Sequence, residues 1–443
     1  MENWLKFLPL FLRNRIEQRQ DLQKMLGNTS WLFADKILRM GVGLLVGVWV
    51  ARYLGPEKFG VMSYAGAFVT LFTVFAGLGL DGIVVRELVR NPADSEEILG
   101  TAFLLKLLSG VLTCFVAGSA IVLVRSDEVL TQLIVWVLAV GMVFQSFDVI
   151  DYYFQSKVTS KYSVWAKNAA FLLMALVRVS LVLAKAPLIA FALAALGEII
   201  FGAIGLVIVY KAKGKALFDW KPRLAKCRSL LKYSWPLILS GLSIVVYMKI
   251  DQVMLGNMVG NKSVGIYSAA IRISEIWYFI PTSICSSVFP SIIEAKNIGE
   301  GLYYRRLQRL FNIMTGLSLC LAIPMSFLST FIVTTLFGKG FAAAGSVLAI
   351  HIWTAVFVFL GVAQGAWDLT ENLTKLSLLR TSSGAVINIL LNLILIPRYS
   401  VLGAAMATVI SQAFSSVILN SVFPSTRPIF FCQIRSILFW KKV

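Results

Sequence analysis

Charged side chains interrupt long apolar runs of this sequence, and chemistry would be done at those places. Asp35, Lys36 and Arg39 share one run, followed by Lys106, Asp148, Arg178 and Glu198. In the second half Lys249 stands near Asp251, and Arg272 near Glu275. If the runs cross a bilayer, each ion at mid-depth costs about 2.5–3.5 kcal/mol on insertion scales and needs a partner, a wet cavity or a task. Lysine and arginine there would hold an anion. The carboxylates Asp148, Asp251 and Glu275 would serve coupling to a proton or a sodium ion. Two couples could form on single helix faces, Asp35 with Arg39 and Arg272 with Glu275. Lys106, close to the end of its run, is expected to snorkel to the interface.

Other chemistry is poorly supplied. The one histidine, His351, is expected to be structural, at a helix start. The five cysteines (Cys114, Cys227, Cys285, Cys320, Cys432) lack metal or redox spacing and read as small apolar filler. No paired-carboxylate motif stands out, and no GxxxxGK[ST] or GxGxxG phosphate cradle follows a strand. The expectation is therefore no catalytic residue, no metal, no cofactor and no enzyme activity.

The elements that must carry these charges follow from composition. Of 443 residues, 58% are hydrophobic and 14% charged, against about 25% charged in soluble chains. One soluble core cannot hide that much apolar surface, so the remaining solvent is lipid. With about 20 apolar residues per crossing, twelve spans are expected: 30–51, 60–84, 99–124, 129–150, 163–184, 187–209, 234–257, 266–290, 310–336, 346–366, 377–396 and 401–423. Runs this long and continuous exclude barrel strands. Residues 1–27 mix arginine, glutamine, glutamate and leucine without a cleavage site, as a cytoplasmic interfacial segment would.

The net charge of +19 invites a nucleic-acid reading. Placement argues against it, because the basic residues lie in short loops between apolar runs. They favour one side roughly fourfold, which predicts both termini in the cytoplasm. The largest basic segment, 210–233, joins the two halves and is expected to sit on anionic lipid.

Those halves are related. ARYLGPEKFGVMSYA (51–65) and GNMVGNKSVGIYSAA (256–270) align at an offset of 205, with Gly55 on Gly260, Gly60 on Gly265, Ser63 on Ser268 and Ala65 on Ala270. Both join an odd span to the next, six spans apart, as in transporters built from two parallel repeats. The expected organisation is an interfacial segment (1–27), a six-helix lobe (28–210), a basic loop (211–232), a second six-helix lobe (233–423) and an interfacial tail (424–443). Pro236, Pro281, Pro290 and Pro324 predict more bending in the second lobe. Basic residues in spans one, seven and eight flank the repeated segment, which predicts a cationic, wet cleft and an anionic substrate.

NTSWLFADKILRMGVGLLVGVWVARYLGPEKFGVMSYAGAF, then GLGLDGIVVREL, and in the second half KYSWPLILSGLSIVVYMKIDQVMLG and GIYSAAIRISE, resemble the polysaccharide (oligosaccharide) flippases of the multidrug/oligosaccharidyl-lipid/polysaccharide exporter superfamily. The resemblance implies an all-α membrane protein of about twelve helices in two six-helix lobes arranged as a V. It implies translocation of undecaprenyl-diphosphate-linked oligosaccharide from the cytoplasmic to the outer leaflet of the cell membrane by alternating access. Its implied partners are that anionic lipid-linked glycan, membrane lipid and other membrane proteins of polysaccharide assembly. Basic residues lining the cavity would hold the phosphates; Lys36, Arg39, Arg52, Arg178, Lys249 and Arg272 are the positions able to do so, and only Arg52, in ARYLG, sits on a family motif. Two readings stay open beside it, a multidrug or small-metabolite antiporter of the same superfamily and a membrane enzyme of glycan assembly.

Overall fold

The computed structural model describes residues 20–438, with side-chain surroundings from Lys36 onward. The expected interfacial segment 1–27, the end of the tail (Phe439, Trp440) and the side chain of Asp35 therefore lie wholly or largely outside the described residues.

Helices account for the described chain, joined by short turns. In order they are α1 (Gln20–Gly77), α2 (Asp81–Arg90), α3 (Ser95–Val124), α4 (Val129–Phe144), α5 (Val149–Ser156), α6 (Lys161–Leu183) and α7 (Leu188–Ala212). The second half holds α8 (Leu224–Met258), α9 (Asn261–Glu275), α10 (Phe279–Ile298), α11 (Glu300–Phe337), α12 (Ala344–His351), α13 (Thr354–Thr370), α14 (Thr374–Tyr399), α15 (Val401–Ser416) and α16 (Arg427–Ile437). Eleven helical stretches among the described residues are long and apolar enough to cross a membrane. The first of them, Lys36–Arg90, contains two expected spans hinged at Gly55, so all twelve spans are present.

The helices expose what a soluble bundle would bury. Leu45 is 70% exposed, Leu123 85% and Phe327 85%. Surface of this kind is stable only against lipid, where a helix satisfies its own backbone polar groups. This is a multi-pass membrane protein.

The chain forms two compact units. The first comprises the described residues through Gly47 together with Phe72–Ile238; the second comprises Val48–Leu71 and Leu239–Val443. The apolar core of the first unit brings Leu80, Val84 and Leu88 of the second span and α2 onto Ile98 and Leu99 of α3, Ile150 and Phe154 of α5 and Tyr210 of α7. The core of the second brings α10, α11, α13 and α16 around Phe311, Phe359 and Trp367. The segment Val48–Leu71, which lies in the first half by sequence, belongs to the second unit by contact.

Two details bear on the loops. The basic segment 210–233 is tied down within the first unit: Lys226 Nζ lies 2.6 Å from Asp94 and Arg223 3.0 Å from Glu97. The tail helix α16 buries one face. Ile429, Cys432, Gln433 and Ser436 are all buried, Ser436 accepts from Thr315 of α11 at 2.9 Å, and Gln433 bonds Gln364 of α13. Burial lifts the Cys432 thiol above the ordinary thiol range.

Candidate functional site

In the first unit the membrane-depth charges form a paired network. Glu198 of α7 lies between two arginines, 2.8 Å from Arg178 of α6 and 3.7 Å from Arg39 of α1. The Arg39 guanidinium also sits 5.0 Å above the Phe171 ring. Beside this triad a cavity of about 220 Å³ is lined by Arg39, Gln145, Asp148, Lys167 and Glu198. Lys167 of α6 bridges Asp148 and Asp151 at 2.9 Å each. Asp148 is brought there because α4 ends in a 3₁₀ turn, Gln145–Asp148, before α5 begins.

A second chain of polar contacts lies in the same unit. Lys106 Nζ donates to Tyr152 Oη at 2.7 Å, and that hydroxyl donates to Asp81. The snorkelling expected of Lys106 is thus overturned: the side chain is 3% exposed, turned inward because a phenol and a carboxylate supply the partners that solvent would have supplied.

In the second unit a cavity of about 400 Å³ is lined by Asp251, Tyr267, Glu275, His351, Asp368 and Arg380, among others. Asp251 of α8 is 2% exposed and accepts from Asn392 of α14 at 2.6 Å, Tyr267 of α9 at 2.7 Å and Thr408 of α15 at 2.5 Å. Asn392 in turn donates to Asn388 at 3.1 Å, and its own Oδ1 has no partner among the described residues. Lys249 Nζ approaches Glu275 at 3.9 Å. His351 shares a hydrogen bond with Ser274 at 2.9 Å and stands at the end of α12, not at the helix start expected for it. Deeper in the wall Asp368 of α13 and Arg380 of α14 form a buried ion pair, with Arg380 reaching Asn420 at 3.1 Å.

The repeated segment also lies in this unit. Gly55 (φ 71°) and Gly260 (φ 112°) take backbone conformations that favour glycine, and each starts the second helix of its copy. Gly60 and Gly265 then meet. A Cβ on Gly60 would lie 1.7 Å from the carbonyl oxygen of Asn261, and one on Gly265 would lie 1.9 Å from that of Pro56. Positions 56 and 261 are themselves a pair at offset 205, so the contact is reciprocal. Arg272 lies 5.8 Å from the Phe59 ring, and Arg52 lines the approach to Gly338.

The six expected anion-holding residues divide between the units. Lys36 is exposed on α1, Arg39 and Arg178 share Glu198, Lys249 engages Glu275, and Arg52 and Arg272 are exposed beside the repeated segment. Of the three expected ion-coupling carboxylates, Asp251 is enclosed by neutral donors, whereas Asp148 and Glu275 face lysines. Sequence reasoning missed Asp81, Lys167, Asp368 and Arg380. All four lie near span ends, where charge reads as interfacial; the fold buries Asp368 and Arg380 and gives Asp81 and Lys167 partners on other helices.

Comparisons agree with this architecture. The family model described as polysaccharide biosynthesis protein matches residues 25–296, and the MatE model matches 236–394. A Haloferax volcanii protein named "Probable flippase AglR" is 25% identical over 424 residues, covering 91% of this chain and 84% of that protein. The capsular polysaccharide biosynthesis protein CapF of Staphylococcus aureus is 21% identical over 400 residues, covering 88% and 96%. Among solved structures, an inward-facing multidrug resistance MATE family transporter aligns with a TM-score of 0.70 at 16% identity, over 91% of this chain and 96% of that one. The lipid II flippase MurJ aligns at 0.67 and 15%, over 93% and 91%. The chain belongs to the polysaccharide biosynthesis protein family, within the exporter superfamily that its sequence motifs resemble.

Proposed function

We propose that the protein is a flippase that carries an undecaprenyl-diphosphate-linked oligosaccharide from the cytoplasmic to the outer leaflet of the cell membrane. It works by alternating access, with both termini cytoplasmic. The observation that carries the reading is the gathering of Arg39, Arg178 and Lys167 beside a cavity at membrane depth, where cations are expensive and a phosphate-bearing ligand is the economical reason to keep them. Relatives named as flippases support it. Lys36, Arg52, Lys249 and Arg272 complete the proposed set of phosphate-holding residues. A polyprenyl tail stays in lipid while the sugars cross in water, so no covalent chemistry is asked of the protein.

Asp251 is the coupling residue in this reading. Its carboxylate takes a proton or a sodium ion, and binding of either alters the packing of α8 against α14 and α15. The same cavity, with the MatE match across it, favours a second reading, an ion-coupled exporter of small molecules.

Deletion of the gene distinguishes the two. The flippase reading expects complete lipid-linked repeat units to accumulate on the cytoplasmic leaflet, restored by the wild-type chain and not by Arg39→Ala or Arg178→Ala. A normal leaflet distribution with altered drug tolerance supports the exporter; loss of repeat-unit synthesis points to an enzyme.

A further inference from the structure

Two basic side chains, Arg39 and Lys167, line the first unit's cavity and a third, Arg178, reaches it through Glu198, yet none offers a bare charge. Arg39 and Arg178 are both satisfied by Glu198, and Lys167 by Asp148 and Asp151. Each of the three is therefore paired with at least one carboxylate while the site holds no ligand. An anion entering it gains little unless a carboxylate leaves. The pairings differ in how readily that happens. Lys167 is clamped by two carboxylates at 2.9 Å, whereas Glu198 alone divides itself between two guanidiniums, one at 2.8 Å and the other at 3.7 Å. Glu198 also lines the cavity directly, and its side chain keeps 24% of its exposure.

We infer that Glu198 is an internal substitute for the ligand's diphosphate: it holds Arg39 and Arg178 together when the site is empty, is displaced when the diphosphate binds, and returns to expel it. The inference rests on the flippase reading and adds the residue that sets affinity against release. Two guanidiniums and one carboxylate carry a net charge of +1, and a diphosphate diester in place of the carboxylate brings −2 to two arginines, a neutral complex with bidentate geometry open to each guanidinium. Without a competing carboxylate, two half-buried arginines would bind the diphosphate tightly and release it slowly, which suits a receptor and not a carrier. Uniformly tight binding gains nothing in turnover.

The sign of the effect separates this role from a structural one. A carboxylate that merely props up the arginines would, when neutralised, disorder them and weaken anion binding. Glu198→Gln is expected instead to strengthen binding of inorganic pyrophosphate to the purified full-length protein at least fivefold by titration calorimetry. The same variant should lower the maximal rate of lipid-linked glycan transfer in reconstituted vesicles. Glu198→Asp, which keeps the charge and shortens its reach, is expected to raise the affinity by a smaller factor and stands in should the glutamine variant fail to fold. Unchanged or weaker pyrophosphate binding in whichever variant folds overturns the inference. A wild-type protein that binds pyrophosphate but transfers no glycan lipid would instead overturn the flippase reading, and leaves the pairing result to stand by itself.

Discussion

At the scale of single residues, the contrast between Asp251 and Glu198 matters most. Both are carboxylates in apolar spans, but Glu198 faces two arginines and Asp251 faces three neutral donors. A carboxylate among neutral donors keeps its charge available to a mobile cation; one between arginines has already used it. Asp251→Asn retains an acceptor for Tyr267 and Thr408, so the fold should survive while the charge is lost. Transport by this variant is expected to fall at least tenfold and to stop responding to an imposed proton or sodium gradient. A variant that keeps both its rate and its gradient dependence would remove Asp251 from the mechanism.

At the scale of elements, glycine placement decides which helices touch. Gly60→Ala drives a methyl into the Asn261 carbonyl, with no flexible side chain to yield, and is expected to destabilise the protein by about 1–3 kcal/mol, as overpacking does. Gly66→Ala, six residues on, meets nothing within 4 Å and should be neutral or stabilising by about 0.5–1 kcal/mol through helix propensity. Thermal unfolding in detergent measures both, and equal melting temperatures would show that the close approach is not maintained. The helices themselves were legible because lipid makes hydrophobic run length a direct ruler, and the repeat at offset 205 was legible because Gly55 and Gly60 have backbone duties no other residue can take. Pairing was much less so. Arg39 pairs with Glu198, from a helix far along the chain, a partner that no spacing on its own helix indicates. Sequence spacing exposes partners on one helix, whereas bundles pair charges between helices. The inner face of α16, with Gln433 and Cys432 buried, is likewise set by other helices and not by spacing along its own.

At the scale of the whole molecule, the two units carry different electrostatics. The first balances arginines and lysines against carboxylates around a small cavity; the second encloses a larger one in which Asp251 is held by neutral donors. A carrier of a diphosphate-linked lipid exports two negative charges, each favoured by about 2.3 kcal/mol per 100 mV of inside-negative potential. In vesicles holding such a potential and no ion gradient, the leaflet ratio of a charged glycan lipid is expected to shift by about a thousandfold at equilibrium. A ratio indifferent to potential would mean that compensating cations travel with the substrate, which assigns the work to Asp251.

The meeting of Gly60 with Gly265 carries a historical consequence. Residue 56 touches 265 and residue 261 touches 60, which is the pattern of an isologous patch, the surface a homodimer presents to itself. In a dimer of single half-length chains, one substitution there would strike both sides of the contact at once. Joining the halves in one polypeptide removes that penalty everywhere except where the copies still touch. Divergence elsewhere can separate a charge-paired cavity from an aspartate-lined one, while these two glycines remain bound to a shared fate.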